Sequence, residues 1–327
     1  MTPDELVSQL PDTLEYTGEF SPELVCFVPF IHWLHVHGRL KYRRVVSYAG
    51  MRPFYYFLNK ENYAEKSEQR RYVPFEDRPT YWPNWGELSL QPSLFAQFPD
   101  YRRVYERRFG SDFDKPILVV HNKHCLEWDI GPVNFMPVDT LDRMFTLLKQ
   151  KFQIVYFREG FGSIDLGVLG YSADHNIPYP FDDEALLRQH PDVIVFERLA
   201  AAGRSRASYN ELKLAVFADC KNFISSQGGG AHMIAMFSDS VLVILHRAGF
   251  ELRGTYVKGF YRFAANPPPV LLVTRSSREL EEAAGIFQYR HDAKDGAILP
   301  EAARLVEKFL PERSVDPNHA PTRPTVW

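Results

Sequence analysis

"NFISSQGGGAHMIAMFSDSVLVILHR", residues 222–247, is the stretch on which the fold turns. It opens as a short apolar run, passes through three consecutive glycines and a helix-like run, and closes on a second apolar run, SVLVILHR (240–247). Short apolar runs separated by helical segments are the pattern of parallel strands buried on both faces. Three adjacent glycines carry a high backbone-entropy cost. Either tight strand-to-helix packing or a close-lying ligand accounts for them.

The same alternation extends outward from this stretch. PILVVHN (116–122), QIVYFR (153–158) and DVIVFER (192–198) read as strands before it, and PVLLVTR (269–275) as a strand after it. Between them, VDTLDRMFTLLKQKF (138–152) places Leu141, Met144, Phe145, Leu148 and Phe152 on one helical face, with Asp139 or Thr140 as cap. DDEALLRQH (182–190) and SYNELKLAVFADC (208–220) are further helices, the second capped by Ser208. SRELEEAAGIF and LPEAARLVEKFL close the chain as helices. Alternating strands and helices with short links specify an α/β domain with a parallel, Rossmann-like sheet.

The first part of the chain alternates less clearly. LVCFVPFIHWLHVHG (24–38) reads as a strand broken at Pro29 and then a helix, and RRVVSYAG (43–50) as a strand. Residues 59–115 mix Pro, Trp, Tyr and charge, as an ordered functional loop region does. The expected division is a first domain over 1–112 and a second over 113–327.

Composition narrows the function. A chain of 327 residues, 45% hydrophobic, needs no disulfide or metal to hold a core. A net charge of -3 argues against a duplex-binding domain. The basic clusters KYRRV (41–45) and YRRVYERR (101–108) are either solvated faces or local anion sites. Cysteines at 26, 125 and 220 show no paired spacing, which suits a reducing compartment. No apolar run approaches the length of a membrane span and the N-terminus lacks a signal-peptide core, so a soluble, cytoplasmic protein is expected.

Ligands of open parallel sheets bind beyond the carboxyl ends of the strands. A helix starting at the glycines presents N–H groups suited to a phosphate or diphosphate. Ser226, Gln227, Gly228, Gly229, Gly230 and His232 are therefore the candidate binding loop. It is neither a Walker A loop nor GxGxxG. Lys123, Arg158, Arg204 and Arg247 are basic candidates near strand ends, and Glu197 suits a ribose or sugar hydroxyl. HNKHCLEWD (121–129) allows a zinc reading through His121, His124 and Cys125, but adjacent His and Cys rarely ligate one ion. The competing reading is a polar cleft loop in which Glu127 and Asp129 meet sugar hydroxyls.

A Rossmann-like second half with a late strand, glycine loop and helix resembles the GT-B glycosyltransferases. HNKHCLEWDIGPVNFMPVDTLDRMF (121–145) is similar to segments of glycosyltransferases from bacteria and large algal viruses that build surface glycans. The resemblance implies two Rossmann-like domains facing a cleft. It implies a nucleotide diphosphate sugar as donor, with UDP the expected carrier, bound by the second half, and a glycan acceptor bound by the first. Leaving-group stabilisation then falls to Gly228–Gly230 and Lys123, with no cofactor or metal required. His32 is the first choice of general base and Glu87 its rival. Tyr81, Trp82, Trp85 and Glu87, with Tyr55 and Tyr56, are candidates for the acceptor. No nucleic acid and no transmembrane segment are expected, which leaves room for peripheral membrane contact. A sugar-nucleotide epimerase and a non-enzymatic glycan-binding protein stay open as alternatives.

Overall fold

A computed structural model describes residues 2–73, 77, 95–110, 113–127, 131–158, 161, 167, 177–202, 208–249, 256, 259–292 and 300–314. Arg204 and Asp129, and the acceptor candidates Tyr81, Trp82, Trp85 and Glu87, lie outside them.

The chain forms two parallel sheets. The smaller has three strands, β1 (Thr13–Glu15), β2 (Arg44–Tyr48) and β3 (Tyr63–Lys66), in that order. The larger has six: β4 (Ile117–Asn122), β5 (Gln153–Arg158), β6 (Ile194–Val195), β7 (Asn222–Ser226), β8 (Val241–Leu245) and β9 (Val270–Thr274). Their spatial order is β6-β5-β4-β7-β8-β9. Numbered from β4, this is the doubly wound 3-2-1-4-5-6 arrangement, whose direction of winding reverses between the first and fourth strands. Here β4 and β7 flank that reversal, with Val119 opposite Phe223 and His121 opposite Ser225.

Alternation along the strands separates two apolar layers. Leu118, Val120, Ile154, Tyr156, Val243 and Leu272 face one way, toward helices α4 (Val138–Leu148), α9 (Ser277–Ala284) and α11 (Pro300–Phe309). Their neighbours Val119, Val155, Phe157, Phe223, Ile244 and Val273 face the other way. That second layer holds helices α7 (Tyr209–Asp219) and α8 (Gly229–Ile234) and continues without interruption into Leu14, Phe30, Val45 and Phe54 of the N-terminal part.

Polar ties reinforce the shared core. The Arg102 guanidinium, on helix α3 (Tyr101–Tyr105), donates to the Cys220 carbonyl (2.9 Å), the Ser240 hydroxyl (2.8 Å) and the Ala218 carbonyl. The Asp219 carboxylate accepts from the Phe109 and Gly110 amides at 2.7 Å. Arg43 is buried and donates to the Val7 carbonyl (2.9 Å). The two basic clusters thus spend Arg43 and Arg102 on carbonyls of the fold.

Three local expectations need correction. Residues 24–28 are not a strand: a π-helical turn (Glu23–Phe27) runs directly into helix α2 (Val28–Val36), with Pro29 in its first turn. Pro29, which has no N–H to donate, falls just after the π-helical turn, where the regular hydrogen-bond ladder is already interrupted. A fully buried apolar run carries no periodicity to separate strand from helix. DVIVFER holds only the two-residue β6 before helix α6 (Phe196–Ala201), so Glu197 lies in a helix. Helix α4 has Pro137, not Asp139 or Thr140, at its N-cap.

Candidate functional site

The glycine loop sits at the winding reversal, after β7 and beside the carboxyl end of β4. The structure gives each glycine a different reason. Gly228 has φ +142°, a backbone conformation that side-chain-bearing residues rarely adopt. A Cβ at Gly229 would meet Phe20 Cδ1 at 3.4 Å, an ordinary contact. A Cβ at Gly230 would lie 2.3 Å from His121 Cε1 and 2.4 Å from Nε2. What approaches the backbone at Gly230 is therefore an imidazole of the neighbouring strand.

The start of α8 remains a cluster of donors. Its first intrahelical bond runs from His232 N to Gly228 O (3.1 Å), so the Gly229, Gly230 and Ala231 amides precede the ladder.

Lys123 comes to this loop from the end of β4. Its Nζ donates to Glu127 Oε2 (2.9 Å) and Gln227 Oε1 (3.4 Å), and would stand 3.3 Å from a Cβ at Gly228. Glu127 is buried, and its Oε1 also accepts from the Val133 and Asn134 amides (3.1 and 2.8 Å). Its carboxylate takes four hydrogen bonds from the chain and holds Lys123 in place.

Asn134, fully buried, joins three strand ends. Its Nδ2 reaches Glu127 Oε2 (3.0 Å), Gln227 Oε1 (3.3 Å) and the Ala248 carbonyl (3.0 Å). Its Oδ1 accepts from Arg247 N (2.8 Å) and Ala248 N (3.2 Å). Arg247 is half-buried, donates to Ser277 Oγ (2.9 Å) and lies over the Phe135 ring. Burial lowers its pKa. Among the described residues it has no carboxylate partner.

The N-terminal part meets the loop through the helical turn Phe20–Pro22, which leads into the π-helical turn. Ser21 Oγ is hydrogen-bonded to His232 Nδ1, and Phe20 and Ser21 cover Gly229. His232 is buried, with its ring edge-on to Phe260. His32 lies elsewhere. Its Nδ1 bonds the Gln97 carbonyl (2.9 Å), its ring packs on Phe57, and burial holds its pKa below the ordinary range.

Arg158 and Glu197 are spent inside the fold. Arg158 forms a buried ion pair with Asp183 (Nη2 to Oδ1, 2.8 Å), and Tyr156 donates to the same carboxylate (2.8 Å). Glu197 accepts from the Arg158 amide (3.1 Å). The guanidinium is thus neutralised on the far side of β4 from the glycine loop. Ser226 is buried, with its hydroxyl toward the His121 carbonyl. Tyr55 is fully buried and donates to Glu23 (2.7 Å), while Tyr56 is half-buried.

The zinc candidates diverge. His121 lies by Gly230 and Phe157, whereas His124 packs against Phe135 and Phe181. Among the described residues no three potential ligands converge on a metal position, and no helix is long and apolar enough to cross a membrane.

Sequence reasoning thus brought Lys123, Gln227 and Gly228–Gly230 to one place, and missed Ser21, Asn134 and His121's contact with the loop. Ser21 had one readable signal, its position after the first strand, but that strand was placed at 24–28 and not at 13–15. Asn134 had none. No family model, curated protein or solved structure matches this chain.

Proposed function

We propose that the chain is a glycosyltransferase of the GT-B type that moves a sugar from a nucleotide diphosphate sugar, with UDP the expected carrier, to a glycan hydroxyl. One observation carries the reading. Lys123 from β4, the Gln227–Gly230 loop from β7 and Arg247 from β8 are tied together through Asn134 at the winding reversal of a parallel sheet. That is the place where such sheets hold nucleotides.

The chemistry required is simple. The bond between the anomeric carbon and the diphosphate oxygen breaks, and the diphosphate leaves with the electron pair. The acceptor oxygen takes its place, and its proton passes to a base or to solvent. Lys123 has three ammonium donors, two of them directed at Glu127 and Gln227, which leaves one for a phosphate oxygen. The α8 amides and Arg247 add donors that need no reorganisation when charge develops. Ser21 supplies a hydroxyl from the acceptor side, oriented by His232.

The test is calorimetric titration with UDP and UDP-sugars, followed by transfer assays on glycan acceptors. Saturable binding by wild type, lost in Lys123→Ala, supports the reading. No binding of any nucleoside diphosphate by folded wild-type protein overturns it.

A further inference from the structure

A cavity lies at the end of the large sheet opposite the glycine loop. It has a volume of about 360 Å³, within the range of small-ligand sites (about 300–1,000 Å³). Three segments build it: residues 96–100 ahead of α3, Met236 and Ser238 beyond α8, and residues 263–266 ahead of β9. Ser238 precedes Val241, the first residue of β8, and Asn266 precedes Val270, the first of β9. The cavity is therefore at the amino ends of these strands, away from the carboxyl ends that carry the glycine loop.

The lining chemistry selects a ligand class. Phe98 and Phe263 give apolar faces, edge-to-face at 6.1 Å between centroids. Gln97, Ser238 and Asn266 can each both donate and accept, and Asp100 accepts only. Among the described residues, no lysine or arginine lines the cavity. A phosphate or carboxylate needs donors and positive charge, and here it would meet Asp100 instead. A purely apolar ligand would leave the polar groups unpaired. A molecule with hydroxyls on its rim and C–H faces on its body satisfies both sets.

The frame is firm. Gln97 N donates to the Pro29 carbonyl (3.0 Å), and the Gln97 carbonyl is bonded by His32 (2.9 Å). Asp100 caps α3 by accepting from Arg103 N (3.1 Å).

We infer that this cavity is a binding subsite for a neutral saccharide of one or two rings, separate from the proposed donor site. It gives His32 a place as the support of the Gln97 wall.

The experiment titrates the full chain with lactose, maltose and cellobiose, and with glucuronic acid and glucose as a charged and neutral pair, read by saturation-transfer NMR. At least one neutral sugar should bind in the millimolar range. The same sugar should bind at least tenfold more weakly to Ala265→Trp, which fills the cavity, and to Phe98→Ala, in variants that melt as wild type. Should Ala265→Trp misfold, Asn266→Ala supplies the same comparison at an exposed lining position. Binding should persist in Lys123→Ala and in saturating UDP, so failure of the donor reading leaves this result separate. No binding by any neutral sugar, equal binding by the filled variant, or tighter binding of glucuronic acid than glucose overturns the inference.

Discussion

The His121 imidazole occupies the space that a side chain at residue 230 would need, with its ring atoms 2.3–2.7 Å from that Cβ position. Gly230→Ala should therefore destabilise the protein by about 1–3 kcal/mol through overpacking. Gly229→Ala, in ordinary contact with Phe20, should cost less. Urea denaturation checks the order. A His121→Ala, Gly230→Ala double variant should recover part of the Gly230→Ala loss, because the two residues share one space.

The same burial makes stability depend on pH. Desolvation first, then the nearby Lys213 and Lys123 charges, push the His121 imidazole down to about 3. An exposed histidine titrates near ~6.5. Between these values the unfolded chain binds a proton that the folded chain refuses. The contribution is fully present above ~6.5 and declines as pH falls, by up to about 1.4 kcal/mol per pH unit. Urea midpoints between neutral pH and pH ~4 should fall less steeply for His121→Gln than for wild type. Equal slopes would show that other groups control the acid side.

Asn134 is the joint of the proposed donor site. Asn134→Ala removes the acceptor of the Arg247 and Ala248 amides, at about 1–3 kcal/mol for a group left without a partner, and takes one donor from Glu127 and Gln227, both of which keep Lys123. Both the melting temperature and nucleotide affinity should fall. Lys123→Ala should reduce affinity with a smaller change in melting temperature.

Arg158 separates structure from binding. Breaking its buried pair by Arg158→Met strands Asp183 and should cost about 3–5 kcal/mol. Nucleotide affinity per folded molecule should stay at the wild-type value. A selective loss of affinity in a normally stable Arg158 variant would return that side chain to the site.

On the proposed chemistry, Ser21→Ala should lower turnover several-fold with donor affinity retained. His32→Ala should leave donor affinity unchanged and weaken saccharide binding at the remote cavity. Initial rates at saturating donor distinguish the two.

Much of the large sheet was legible in the chain. PILVVHN, QIVYFR, NFISSQ, SVLVILHR and PVLLVTR became β4, β5, β7, β8 and β9, because strands buried on both faces must be apolar throughout. The amphipathic α4 was equally plain, because Leu141, Met144, Phe145 and Leu148 recur at the helical period and all are buried. The run 24–36 failed for the converse reason: a helix buried all round has no polar face to mark its period.

The glycine loop and its place between a strand and a helix were readable along the chain, because they rest on local backbone preferences and apolar periodicity. What the loop meets depends on long-range packing. That packing puts His121 against Gly230, Lys123 against Gly228 and Ser21 beside His232, and withdraws Arg158 into a pair with Asp183. Those partners are separated by as many as 211 positions in the chain. Their meeting depends on strand order, and strand order is set by how the two apolar layers close around the sheet.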